Sequence, residues 1–220
     1  MSIWADSVCF EAERLANGLT ASDKENLDMA KIVVVNSVSL DGVTQGVGRP
    51  DEDTRDGFAL GGWSPAYADP IMGEEMGAGM ANTSGLLLGR RTYEDLFSYW
   101  PHQTDNPYTD VLNNTVKYVA SNTLDEPLPW QNSVRLTGEM AAAVSDLKAS
   151  LDGRLVVLGS GELVRSLTAV GLVDEYVLLI HPLLIGAGRR LFADCGPMVR
   201  LTLERSVVTS TGVMIATYTR

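Results

Sequence analysis

An α/β fold around a mostly parallel sheet is predicted by three observations. From Lys31 onward, apolar runs rich in β-branched residues alternate with segments of helical periodicity, the pattern of buried parallel strands joined by crossover helices. Glycine stands at the carboxyl end of two such runs with a helix start just beyond, in Leu86-Leu87-Leu88-Gly89 and in Leu155-Val156-Val157-Leu158-Gly159. The last two runs instead flank Thr209-Ser210-Thr211-Gly212, so the sheet should close with an antiparallel hairpin.

The elements follow in order. Residues 1–29 are unlike the rest: Val8, Ala12, Leu15 and Leu19 recur at helical spacing behind Asp6, which predicts a short amphipathic helix. A polar stretch precedes Met29, and the extension reads equally as an appended docking helix or as residues upstream of a start at Met29; the domain proper is expected over 30–220. Strands are predicted over 31–37, 85–88, 116–120, 133–136, 154–158 and 175–181. Helices are predicted over 91–100, where Tyr93, Leu96, Phe97 and Trp100 share a face, over 139–151 on Met140, Val144, Leu147 and Leu151, and over 163–170, where Gly171 ends the run. The hairpin takes 201–208 and 213–218. Residues 42–70 are rich in glycine and proline with little periodicity, and a loop this long reads as part of an active site.

Composition narrows the function classes. With 220 residues, 45% hydrophobic and 20% charged, the chain can bury one ordinary core and is neither disordered nor a disulfide scaffold. Seventeen basic against 28 acidic residues give a net charge of −11, which argues against nucleic acid as a partner. No apolar run approaches the roughly 20 residues that span a bilayer, so no membrane role is expected. Cys9 and Cys195 lie far apart with no partner motif, and Asp6, Glu11 and Glu13 stand where a signal peptide would carry cations; the expected location is the cytoplasm.

Two stretches point to chemistry. The junctions Gly89-Arg90-Arg91-Thr92 and Gly159-Ser160-Gly161-Glu162 read either as tight turns or as anion sites, where free N–H groups and the helix dipole meet a phosphate. Arg90 and Arg91 favour the second reading, because guanidinium forks recognise phosphate, and a 2′-phosphate favours NADPH over NADH. The Gly-x-Gly-x-x-Gly fingerprint is missing after the first strand, so the domain is not a standard Rossmann unit. Asp41, in Ser39-Leu40-Asp41-Gly42, places a carboxylate at the edge where open α/β sheets bind ligands, and reads either as a substrate contact or as a turn. Trp63 and Tyr67, near Asp69, either wall a pocket for a planar ring or belong to the core. His181 reads as a satisfied, half-buried core or edge residue and His102 as a loop residue. No acidic cluster has a histidine or cysteine at ligand spacing, so no metal is expected.

The ordered set Ser39-Leu40-Asp41-Gly42, Leu88-Gly89-Arg90-Arg91-Thr92-Tyr93-Glu94 with Tyr99-Trp100-Pro101, Gly159-Ser160-Gly161, and Gly171-Leu172-Val173-Asp174-Glu175 through Gly186-Ala187-Gly188 to Leu191-Phe192 resembles the dihydrofolate-reductase-like superfamily. It looks closest to the branch containing the reductase domain of riboflavin-biosynthesis enzymes, over roughly 31–220. The resemblance implies a three-layer dihydrofolate-reductase-like fold, a homodimer, and NADPH delivering hydride to a pterin-like, pyrimidine or related conjugated small molecule. It assigns Arg90 to the 2′-phosphate, Thr92 to the pyrophosphate and Ser121 to the adenosine side. Gly159, Ser160 and Gly161 go to the pyrophosphate and nicotinamide ribose, with Arg91 and Glu162 beside them, and Asp41 faces the substrate with Asp69 in reserve. Family members often hold a strained peptide at the position of Gly159-Ser160. Gly62-Trp63-Ser64-Pro65 only loosely echoes the Leu-Pro-Trp turn of dihydrofolate reductases proper, and no deaminase domain is present, so folate itself is a poor substrate candidate. The alternative function class is a non-catalytic nucleotide-binding or regulatory protein that retains the cofactor pocket.

Overall fold

A computed structural model describes residues 29–104, 106–192, 196 and 198–220; the expected N-terminal helix over Val8 to Leu19, Cys9 and Cys195 lie outside the described residues. Eight strands form one sheet in the order β4-β3-β2-β5-β1-β6-β8-β7. They are β1 (Lys31–Ser39), β2 (Thr83–Gly89), β3 (Lys117–Ala120), β4 (Ser133–Leu136), β5 (Arg154–Leu158), β6 (Glu175–His181), β7 (Thr202–Val208) and β8 (Met214–Thr219). Every pairing from β4 across to β6 is parallel. The chain then reverses, and β8 pairs antiparallel with both β6 and β7.

Among the described residues five α-helices cover the sheet: α1 (Pro70–Ala81), α2 (Arg90–Tyr99), α3 (Pro107–Asn114), α4 (Met140–Ser150) and α5 (Gly161–Ala169). Strand alternation sorts the core into layers. Ile32 and Val34 of β1 and Leu87 of β2 face α4 and α5, meeting Val144, Leu163, Val164 and Leu167. Val33, Leu86 and Leu88 point the other way, toward Met80 of α1, Tyr93, Leu96 and Phe97 of α2 and Leu112 of α3. The result is the three-layer arrangement expected. Leu86, Leu87 and Leu88 are all fully buried, and each such side chain contributes about 1.5–3 kcal/mol of apolar burial.

Sequence and structure differ in two helices. Neither α1 nor α3 is signalled by the periodicity used above; each begins at a proline behind a capping side chain, Asp69 accepting from Ile71 N and Asn106 accepting from Tyr108 N. The C-terminal end of α3 is satisfied by Lys117, wholly buried, whose Nζ donates to the carbonyls of Leu112 (2.7 Å), Asn113 (3.2 Å) and Thr115 (2.8 Å) and sits 4.4 Å from the Trp130 ring. Among the described residues no helix is long and apolar enough to cross a membrane.

Candidate active site

Two strand-to-helix junctions lie side by side because β2 pairs with β5. At the end of β5 the chain takes two consecutive left-handed residues, Gly159 (φ 59°) and Ser160 (φ 56°), before α5 begins. A serine held in that region is strained, and the surroundings hold it there: the Gly159 carbonyl accepts from Asn36 Nδ2 (3.2 Å). The Gly159–Ser160 bond is trans, so the departure from relaxed geometry sits in φ and not in the peptide bond. Ser160 Oγ accepts from Gly89 N at 2.9 Å and donates to Thr92 Oγ1 at 2.8 Å, which ties the second junction to the first. A Cβ on Gly159 would meet Thr92 Cγ2 at 3.3 Å, tighter than ordinary contact and further strained by the positive φ.

These junctions floor a cleft of about 1070 Å³ at the carboxyl edge of the parallel strands. One end is apolar, with Val35, Met72, Met76 and Leu179, and beside it Asn36, Ser37 and Thr44 supply polar groups. The other end holds Ala120 to Thr123, where Ser121 Oγ accepts from Thr123 N and Leu124 N. Charged groups fill the rim. Arg90 pairs with Glu94 one turn on, and Arg91 reaches Glu162 at 3.2 Å. Farther along α2, Arg49 bridges to Asp95 and lies over the Tyr99 ring, while Glu52 accepts from Gly48 N and Arg49 N. Burial pushes the Glu52 and Asp95 carboxyls above their ordinary values, each partly offset by its bonds to Arg49 or the backbone.

Residues 30–215 match the RibD C-terminal domain, 186 of the 220 positions and including both junctions. The chain belongs to that family. It is 27% identical over 199 residues to the uncharacterized protein YyaP of Bacillus subtilis (strain 168), covering 88% of this chain and 96% of YyaP. A putative riboflavin biosynthesis protein from Shewanella sp. PV-4 superposes with a TM-score of 0.64 at 22% identity, over 86% of this chain and 98% of that one. A pyrimidine reductase-like protein from Corynebacterium diphtheriae gives 0.58 at 14% identity (92% and 95%). Dihydrofolate reductase from Enterococcus faecalis, complexed with NADP(H) and RAB-propyl, gives 0.56 at 14% identity (86% and 96%). These three likenesses establish a dihydrofolate-reductase-like fold for this RibD C-terminal domain.

In this RibD C-terminal domain nine of the sequence-selected positions border the cleft together: Gly89, Arg90, Arg91, Thr92, Ser121, Gly159, Ser160, Gly161 and Glu162. Four others do not. Asp41 was expected to face substrate; instead its carboxylate is taken by Ser39 Oγ (2.6 Å), Ile185 N (3.1 Å) and Gly186 N (2.8 Å), and it clamps the turn after β1 to the segment after β6. The Ser39 hydroxyl first, then the two amides, hold its pKa at about 2 against an ordinary 3.8. Asp69 caps α1 and accepts from Ser210, which lowers its pKa. Trp63 and Tyr67 are not walls of the cleft: both rings stand edge-on to His181, at 5.1 and 5.3 Å between centroids, and Trp63 Nε1 donates to Gln45 O.

Several cleft residues escaped the sequence reading. Asn36 carried a usable signal, a polar residue in the middle of Ile32-Val33-Val34-Val35-Asn36-Ser37-Val38. Met72 and Met76 share a helical spacing with Met80, masked by the glycines between them. Arg55 and Arg189 sit in irregular segments where no periodicity could have marked them.

Proposed function

We propose that the protein is an NADPH-dependent reductase that delivers hydride to a small pterin-like, pyrimidine or related conjugated substrate. The observation that carries this reading is a contrast in helix capping. α1, α3 and α4, whose capping residues do not line the cleft, each have a side-chain oxygen on their first-turn amides, from Asp69, Asn106 and Glu139. α2 and α5, which do open into it, have none. An anionic ligand is the natural cap for two such ends, and a cleft of about 1070 Å³ has room for a dinucleotide and a second molecule.

The residues fit that cofactor. Arg90 is held on the surface only by Glu94, so its guanidinium is available to a 2′-phosphate; Thr92 and the free amides of α5 suit the pyrophosphate, and Ser121 the adenosine side. NADPH, when bound, supplies the hydride. The chain's part is to hold the phosphates at the two helix ends, to exclude water from the apolar end with Val35, Met72, Met76 and Leu179, and to orient substrate polar groups with Asn36, Ser37 and Thr44. Asp41 acts as a positioning residue, fixing the loop that carries Thr44.

Titrating NADPH and NADH against the fluorescence of the four tryptophans tests the reading. NADPH should bind the more tightly, and Arg90→Ala should weaken NADPH roughly ten- to hundredfold while leaving NADH unchanged, the loss of one charge-assisted bidentate contact. Equal or absent binding of the two cofactors overturns it. The placement of Asp41 and Asp69 away from the cleft favours a second reading, a nucleotide-binding protein without turnover; binding with no NADPH oxidation across a panel of pterins, pyrimidines and quinones would establish that one.

A further inference from the structure

Three guanidinium groups from three separate parts of the chain converge on a single carboxylate oxygen in the cleft. Glu162 Oε1, in the first turn of α5, receives Nη1 of Arg91 from α2 at 3.2 Å, Nη1 of Arg189 from the segment after β6 at 3.4 Å, and Nη1 of Arg55 from the loop after β1 at 3.9 Å. Two of the three are aimed by carboxylates of their own. Asp53 grips Arg55 through Nε (2.7 Å) and Nη2, and Asp56 grips Arg189 through Nη2 (2.8 Å), so each leaves its Nη1 directed at Glu162. Behind both stands Gln45, only 3% exposed: its Nε2 donates to the Asp53 and Arg55 carbonyls and to Asp53 Oδ1, and its Oε1 accepts from Arg189 N at 2.9 Å.

The site is therefore built, but its occupant is poorly suited to it. Glu162 meets all three arginines with one oxygen, at 3.2–3.9 Å, and its side chain is 61% exposed; pairs of that kind contribute little. A phosphoryl group presents three acceptor oxygens and takes guanidinium groups bidentately, with the free first-turn amides of α5 beneath it. We propose that Arg55, Arg91 and Arg189 form a phosphoryl-binding site that Glu162 fills as a displaceable internal counter-ion, and that a phosphoryl group of the bound ligand takes the place of its carboxylate. Glu162 thereby lowers affinity for every phosphorylated ligand and offsets the mutual repulsion of the three arginines while the cleft is empty. The phosphoryl group comes either from the cofactor or from a phosphorylated substrate. The inference does not rest on turnover, since phosphoryl binding is measurable without it.

Calorimetric titration with inorganic pyrophosphate, on the full chain, provides the test. Glu162→Gln keeps the size of the side chain and removes the repelling charge, so it should tighten pyrophosphate roughly tenfold, whereas Arg189→Ala and Arg55→Ala should each weaken it by a similar factor. Arg189→Lys, which keeps the charge but loses the fork, should fall between wild type and the alanine variant. Unchanged or weaker binding in Glu162→Gln, or alanine variants that bind as wild type with unaltered melting temperatures, overturns the proposal. Repeating the titration on protein saturated with NADPH identifies the source: loss of pyrophosphate binding assigns the site to the cofactor, retention assigns it to a substrate phosphate. Failure of NADPH to bind would count against the reductase reading alone, because the pyrophosphate arms still decide this one.

Discussion

His181 is the most isolated polar side chain in the described structure. It is fully buried, neither ring nitrogen has a hydrogen-bond partner, and the rings of Trp63 and Tyr67 stand against it. Burial pushes its pKa from 6.5 down to about 4, so the folded protein refuses a proton that the unfolded chain accepts. Stability should therefore be insensitive to this group above pH 6.5 and fall by up to about 1.4 kcal/mol per unit between pH 6.5 and 4. Urea titrations across that range should show the slope in wild type and a flatter one in His181→Phe; identical slopes would remove His181 as the cause. Asp41 titrates lower and with the opposite origin. Its folded pKa is depressed, so its contribution is complete above pH 3.8 and is lost as pH falls toward 2. Asp41→Asn puts an amide N–H toward one of the backbone donors at Ile185 or Gly186, and it should lower the melting temperature while leaving NADPH affinity unchanged. An unchanged melting temperature with lost turnover would return Asp41 to the chemistry.

Among the helices, α1 is the least regular in sequence and the most informative. Gly73, Gly77 and Gly79 lie inside it, and a Cβ added at any of the three would meet nothing within 4 Å. No close approach requires these glycines, so each weakens the helix through chain entropy alone. Gly77→Ala should stabilise the protein by about 0.5–1 kcal/mol, read as a rise in melting temperature, and a fall would mean that the surroundings of α1 are tighter than described. The same glycines explain what was legible. The strands of the sheet were marked by β-branched and leucine runs that burial on both faces demands, and α2, α4 and α5 by clean apolar stripes. In α1 the stripe Met72, Met76, Met80 was present but interrupted by residues that ordinarily argue for a loop. At the site, the helix ends were legible because glycine, threonine and arginine follow buried strands. Arg55, Arg189 and Gln45 were not, because their meeting depends on how two long irregular segments fold over each other.

Across the whole molecule the sheet ends in β7, an edge strand whose outer side has no partner among the described residues. Leu203 is 53% and Val208 62% exposed on it, apolar surface on either side of the charged pair Glu204 and Arg205. We propose that a second copy of the chain covers this edge. Light scattering at micromolar concentration should give twice the chain mass, and Leu203→Lys should shift it toward one chain; a single-chain mass for wild type would sink the idea.

The order of the strands also governs how the chain is made. β1 is the first of the described strands to leave the ribosome, yet both of its neighbours, β5 and β6, come late: Lys31 waits for Arg154, about 120 residues downstream. β2, β3 and β4 are consecutive neighbours and can assemble into a wing as they emerge. β1 cannot join them, since β5 must come between. At ~5–20 residues per second its run of Ile32 to Val35 stays unpaired for roughly 6–25 s during synthesis. The strand that becomes an inner strand of the finished sheet is thus, in the nascent chain, the described strand left longest without a neighbour.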